Sequence, residues 1–230
     1  MTKTQPSFSG FPKQTLSFLD GLQENNNRDW FTAHKADYDQ YVKLPAELFL
    51  NDMSERFHTV FGIPFSGKIF RIHRDVRFSK DKTPYNCHVH MSFFPAASEK
   101  HDCGDKPAFH FGLEPTQVVL GTGCFEFSKE VLDQYRQDVV SETRGKELQT
   151  TIDHLVDQGG YRLGEPALQR VPRGMDPTHP REGLLRQKGL LVWHNSSPDD
   201  LTFTAKDAER WMERYLHLKP IYDWLNHLTH

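Results

Sequence analysis

Apolar positions in the first sixty residues recur at helical spacing. Phe18, Leu19 and Leu22 share one face of a segment opened by Pro12, because a proline in the first turn lacks only an N–H that would be unpaired there anyway. Asn25, Asn26 and Asn27 interrupt this helix, and one of them caps the next. Trp30, His34, Tyr38 and Tyr41 carry the second helix to about Lys43, with Asp29 in the first turn, where the helix dipole favours an acid. Pro45 opens a third helix, striped by Phe49, Met53, Phe57 and Val60 and stopped by Gly62 and Pro64.

The period then changes from helical to alternating. KIFRIH (68–73) sets Ile69, Arg71 and His73 against Phe70, Ile72 and Arg74, the two faces of a strand. HVHMSFF (88–94), AFHFGLEP (108–115) and QVVLGTGCFEF (117–127) give three more strands, with a polar loop from Pro95 to Lys106. The short links predict antiparallel neighbours, since parallel pairs need a long crossover. Helical patterns return at Ser128–Thr143 and Lys146–Asp157, the latter closed by Gly159 and Gly160. Residues 161–204 are irregular and proline-rich, with a further strand at LLVWH (190–194). A last helix starts near Ala205 and places Trp211, Tyr215, Leu218, Tyr222 and Leu225 on one side; Pro220 is expected to kink or split it. Helices, strands and helices in that order predict an α+β protein: one domain over residues 1–230, with 1–10 a loose arm. Its antiparallel sheet has at least four strands, covered on one face by amino- and carboxy-terminal helices.

Composition narrows the class. A chain of 230 residues is long enough for one large domain or two small ones, and 17 Phe, 7 Tyr and 4 Trp can fill a sizeable core. No repeat or long linker divides it. A net charge of −3 provides no global field toward nucleic acid or membrane, so neither is an expected partner. Three cysteines, an odd number without paired spacing, fit a reducing compartment. No signal-peptide pattern and no 18-residue apolar run is present, so a soluble cytoplasmic protein is expected. Nothing in the sequence specifies a cofactor or an oligomeric state.

Candidate chemistry concentrates in KIFRIHRDVRFSKDKTPY (68–85). Between residues 68 and 82 stand six Lys or Arg against two acids, Asp75 and Asp81. Guanidinium forks match phosphate and carboxylate, so Arg74, Arg77, Lys80 and Lys82 with Tyr85 form a candidate pocket for a small anionic ligand, phosphorylated compounds being one such class. The competing reading is a non-catalytic module whose charges are satisfied internally, Asp75 with Arg77 and Asp81 with Lys80. His179 lies in a second Arg-rich, proline-flanked stretch (168–188) and joins the ligand-binding candidates; His73 and His179 are the residues available for proton transfer. A third reading is a metal enzyme using His88, His90 and His110, with the HDC run at 101–103 adding a ligand. Cys87 beside the basic loop is a weaker candidate nucleophile. No G-x-S-x-G, HExxH or CxxC occurs, and GTG at 121–123 lies between strand-like runs rather than before a helix.

Three segments taken together, FSGFPKQTLSFLDGLQENNNRDWF, FRIHRDVRFSKDKTPY and VPRGMDPTHPREGLLRQK, resemble in content and order the family known as domain of unknown function 2461. The resemblance runs from residue 8 to about 195 and is most specific at 74–85. It implies single-domain soluble proteins, chiefly bacterial, with no established activity, cofactor or catalytic residue. It carries over Arg74, Asp75, Arg77, Phe78, Ser79, Lys80, Asp81, Lys82, Thr83, Pro84 and Tyr85. Asn26, Trp30, Phe31, Pro172, Gly174, His179 and Pro180 carry over as well. The family pattern has Lys after the Tyr, where this chain has Asn86, and small or varied residues where it has His88 and His90.

Overall fold

In the computed structural model, residues 7–97, 105–199, 203–204 and 206–229 are described. The first six residues of the expected arm, the HDC run and the expected start of the last helix at Ala205 lie outside them. Helix α1 spans Lys13–Glu24, α2 Arg28–Ala33, α3 Lys35–Asp37 and α4 Leu44–Phe61, with a π-helical segment, Tyr38–Lys43, between α3 and α4. Strands follow as β1 Phe65–Ile69, β2 Val89–Pro95, β3 Ala108–Leu113 and β4 Val118–Cys124. Then come α5 Lys129–Val140, α6 Arg144–Asp157, β5 Tyr161–Leu163, α7 Glu182–Leu185, β6 Leu190–Ser196 and α8 Asp207–Asn226. The described strands form one six-stranded antiparallel sheet in the order β1-β2-β3-β4-β6-β5, so the α+β class holds. No helix of the described residues is long and apolar enough to cross a membrane.

Contacts group the chain into two compact units. The first comprises residues up to 97, 110–119 and 196–213. Its core is aromatic: the Phe49 ring lies 4.5 Å from that of Phe111 and 5.2 Å from Trp211, and Phe11 stacks on Phe111. The expected separate helices before and after Lys43 are joined here by the π segment. Pro45 explains it, since its ring crowds the carbonyl of Tyr41 and its nitrogen donates nothing. The Leu44 N–H therefore reaches back to the Asp39 carbonyl. The Tyr41 carbonyl instead accepts a hydrogen bond from the buried Thr15 hydroxyl on α1, 2.5 Å away. Asn27 is the asparagine that caps α2, its Oδ1 accepting from the Trp30 N–H at 2.9 Å.

The second unit comprises residues 98–109, 120–195 and 214–230. Tyr222 stacks on Phe109 at 4.6 Å, and the buried Tyr135 hydroxyl donates to the Leu184 carbonyl at 3.1 Å. Arg181 closes the carboxy-terminal end of α5: its Nε donates to the Val139 carbonyl at 2.7 Å and its Nη2 to those of Val140 and Ser141 at 3.2 Å. Helix α8 runs through Pro220 without splitting. Strand β5 and helix α7 escape the sequence pattern because three and four residues are too few to display a period.

Candidate functional site

The basic stretch folds as an irregular β-hairpin between β1 and β2. The Phe70 N–H donates to the His90 carbonyl, whereas the Asn86 N–H donates to the Ile72 carbonyl and the Arg74 N–H to that of Pro84. Between these bonds the returning limb carries two more residues than the outgoing one, taken up by the bend at Cys87 and His88. Such a bulge turns the hairpin out of the sheet. The expected strand at 68–73 therefore begins earlier and ends at Ile69, beyond which His73 and Tyr85 form an isolated bridge.

The base of the hairpin is pinned by residues far away in sequence. Asn26 acts as a surrogate strand: its Nδ2 donates to the Tyr85 carbonyl at 2.9 Å and its Oδ1 accepts from the Tyr85 N–H at 3.1 Å. The Tyr85 ring is buried and stacks on Phe31 at 4.2 Å. Tyr85 thus sits beneath the loop as its anchor. A cavity at this base, lined by Tyr38, Phe70, Ile72 and His88 among others, measures about 30 Å³, the size of a water site.

The tip is braced by its own carboxylates. Arg74 Nη1 reaches Asp81 at 2.6 Å and also donates to the Thr83 hydroxyl and carbonyl. Asp81 in turn accepts from the Thr83 N–H at 2.9 Å. That backbone bond, with help from Arg74 and the Thr83 hydroxyl, holds the Asp81 carboxyl down at about 2. Arg77 grips Asp75 through Nε at 2.9 Å and Nη2 at 2.7 Å, and this side-chain bond lowers the Asp75 pKa. Lys82 Nζ donates to the Val76 carbonyl at 2.9 Å. The Asp75–Arg77 pair matches the internal-network reading; Asp81 turns to Arg74 because hairpin closure sets residue 74 opposite 84. The acids that pair with Arg74 and Arg77 thus come from the loop itself.

What the brace leaves outside is Arg77, Phe78 and Lys80. The Arg77 side chain is 76% exposed despite its ion pair, and Phe78 is 96% exposed, with the Arg77 guanidinium 5.9 Å from its ring. Lys80 is also exposed. Phe78 was not among the residues singled out as ligand-binding; the signal for it was one large apolar residue in an otherwise polar run.

The other candidates fall elsewhere. His179 belongs to the second compact unit, where its Nδ1 accepts from the Arg181 N–H at 3.1 Å. His73 is exposed and edge-on to Phe31. Cys87 is half-buried, and burial raises its thiol pKa despite a hydrogen bond from Asn26, the opposite of an activated nucleophile. His88 and His90 stack at 3.6 Å, His90 Nε2 lies 3.5 Å from Glu114, and the buried His110 ring bonds Ser92 at 2.8 Å. Among the described residues no three His, Cys, Asp or Glu side chains are grouped to hold a metal ion.

These imidazoles make a testable acid sensitivity. Burial first, then the neighbouring His90, pushes His88 down to about 4; burial also lowers His90, against the pull of Glu114. In the second unit His194, whose buried Nδ1 has no hydrogen-bond partner among the described residues, is lowered by burial and by Arg214 and His217. All three fold with pKa values below the unfolded value near ~6.5, so the unfolded chain takes up protons first as pH falls. The melting temperature should hold above about pH 6.5 and fall from there toward pH 4. His88→Asn should make that fall shallower in a pH series of thermal melts.

Fold and loop together define an α+β protein that projects a self-braced cationic hairpin with an apolar tip. Residues 14–224 match the family described as conserved hypothetical protein (DUF2461), and the chain belongs to that family. No curated protein matches the chain.

Proposed function

We propose that the hairpin tip binds an anionic, phosphorylated ligand that also offers an apolar or aromatic face. The observation that carries this reading is Phe78, left 96% exposed on a loop whose backbone is otherwise tied down. Covering a phenylalanine is worth about 1.5–3 kcal/mol, so a partner that covers Phe78 gains where the protein itself gains nothing. Arg77, whose guanidinium lies 5.9 Å from the ring, and the exposed Lys80 two residues further on supply charge-assisted donors. Arg74, Lys82 and Tyr85 hold the loop in shape, and His179 is left out because its Nδ1 is already engaged within its own unit. Contact is by projection, since the cavity at the hairpin base is water-sized. No catalytic residue is assigned.

A second reading is favoured by the ion pairs alone: a structural or protein-interaction module in which the pairs only stiffen the loop. Thermal-shift measurements with tripolyphosphate and with adenosine triphosphate separate the two, because a ligand that binds the native state raises its melting temperature. Both probes should stabilise the intact protein at low salt, the nucleotide more than tripolyphosphate. Arg77→Gln with Lys80→Gln should abolish both shifts while leaving the ligand-free melt unchanged. An intact protein that neither probe stabilises would overturn the anion reading.

A further inference from the structure

The hairpin's first strand has a second edge, away from β2. Among the described strands β1 is the end of the sheet. Its ladder to β2 runs Phe65↔Pro95 to Ile69↔Met91, with the Ala96 N–H donating to the Pro64 carbonyl and the Phe70 N–H to that of His90. Antiparallel pairs alternate between bonded and non-bonded, so Ser66 and Lys68 turn their backbone groups toward β2 while Gly67 and Ile69 turn theirs outward. Among the described residues the outward N–H and C=O of Gly67 and Ile69 meet no partner. A sheet edge of this kind is a template for another strand.

Beside that edge lies a groove of about 820 Å³. Phe65, Ser66 and Gly67 line it from β1, and α4 lines it with Leu44, Leu48, Asn51 and Glu55, with Glu47 alongside. These α4 positions recur at four, three and four residues and so form one continuous helical face. A helix facing an open strand edge gives an extended chain both things it needs: main-chain partners on one side and contacts for alternate side chains on the other.

The charge of the groove selects the occupant. Glu47 is exposed and reaches Lys43 only at 3.9 Å, and Glu55 is exposed with no ion-pair partner among the described residues. Asp52 is already engaged by Arg56 at 2.8 Å. Glu47 and Glu55 are separated by about 12 Å along the helix axis, at ~1.5 Å per residue. In a strand, residues four apart on the same face are separated by about 13 Å. We propose that the groove between β1 and α4 binds an extended segment of another protein by strand addition to Gly67 and Ile69. The segment carries Lys or Arg at two same-face positions four residues apart, set against Glu47 and Glu55, with apolar residues over Leu44 and Leu48.

The probe is a fluorescein-labelled, end-capped heptapeptide alternating Thr and Val, with lysines four residues apart on one face. Fluorescence anisotropy with the full chain should show saturable binding. Glu47→Lys with Glu55→Lys should weaken it by about tenfold or more, roughly 1.4 kcal/mol, while a cooperative melt shows that the variant remains folded. Methylating alternate backbone nitrogens of the peptide should abolish binding, and hydrogen exchange should slow at the Gly67 and Ile69 amides in the complex. Equal binding by the charge-reversed variant or by the methylated peptide would overturn the proposal. So would the lack of saturable binding to the full chain.

Discussion

Arg181→Met is expected to lower the free energy of unfolding by about 3–5 kcal/mol, although the residue lies on an irregular segment. The last carbonyls of a helix have no partner within it, and Arg181 supplies one for each of Val139, Val140 and Ser141. The side chain is 7% exposed and its bond to Val139 is buried, so water cannot take over there when the guanidinium is removed and that carbonyl costs about 1–3 kcal/mol, the part-buried carbonyls of Val140 and Ser141 adding less each. Its contact with Glu142 adds little, because that carboxylate is 85% exposed. Gly145 fits the same cap: a Cβ there would lie 2.0 Å from the Val139 carbonyl oxygen. Met preserves the aliphatic volume and deletes the donors, while Arg181→Lys should recover part of the loss, since an ammonium cannot reproduce the planar fork. Urea unfolding of the three proteins checks this. A Met variant within 1 kcal/mol of the parent would show that the cap contributes little.

Phe49→Ala should cost a comparable ~3–5 kcal/mol, mostly as a cavity. Phe49 is fully buried, and its ring lies within 5.4 Å of those of Phe8, Phe11, Phe111 and Trp211. Four rings meeting at one side chain from α4 leave no flexible neighbour to fill the space. Phe49→Leu should cost less, since most of the volume remains. Similar melting temperatures for the Ala and Leu variants would contradict this view of the core.

The aromatic stripe that defines this core was legible in sequence because Phe49, Met53 and Phe57 sit at helical spacing, and all three are buried. The strands from β2 to β4 were legible as short runs of mostly apolar residues between polar turns; they are buried almost throughout, so alternation is not what marks them. The union of α3 and α4 through a π segment was not, because Pro45 reads locally as a helix start and its accommodation depends on Thr15, 26 residues away from Tyr41. The site was legible in location and composition but not in form. Local charge counts show six cations and two acids; they do not show that a bulge at Cys87 and His88 closes a hairpin and turns Asp81 onto Arg74. Nor does composition separate Tyr85, which packs under the loop, from Phe78, which stands outside it. The β1 edge was invisible because Glu47 and Glu55 read as the ordinary solvated face of a helix until a strand edge is seen beside them.

The most direct test of the cationic tip is calorimetric titration of tripolyphosphate and adenosine triphosphate into the intact protein and into Phe78→Ser. The account predicts that both bind the parent, more weakly as salt rises because exposed charges are screened. The nucleotide should bind more tightly than tripolyphosphate, and that advantage should disappear in Phe78→Ser. Absence of binding at low salt, or a nucleotide preference unchanged in Phe78→Ser, would contradict it.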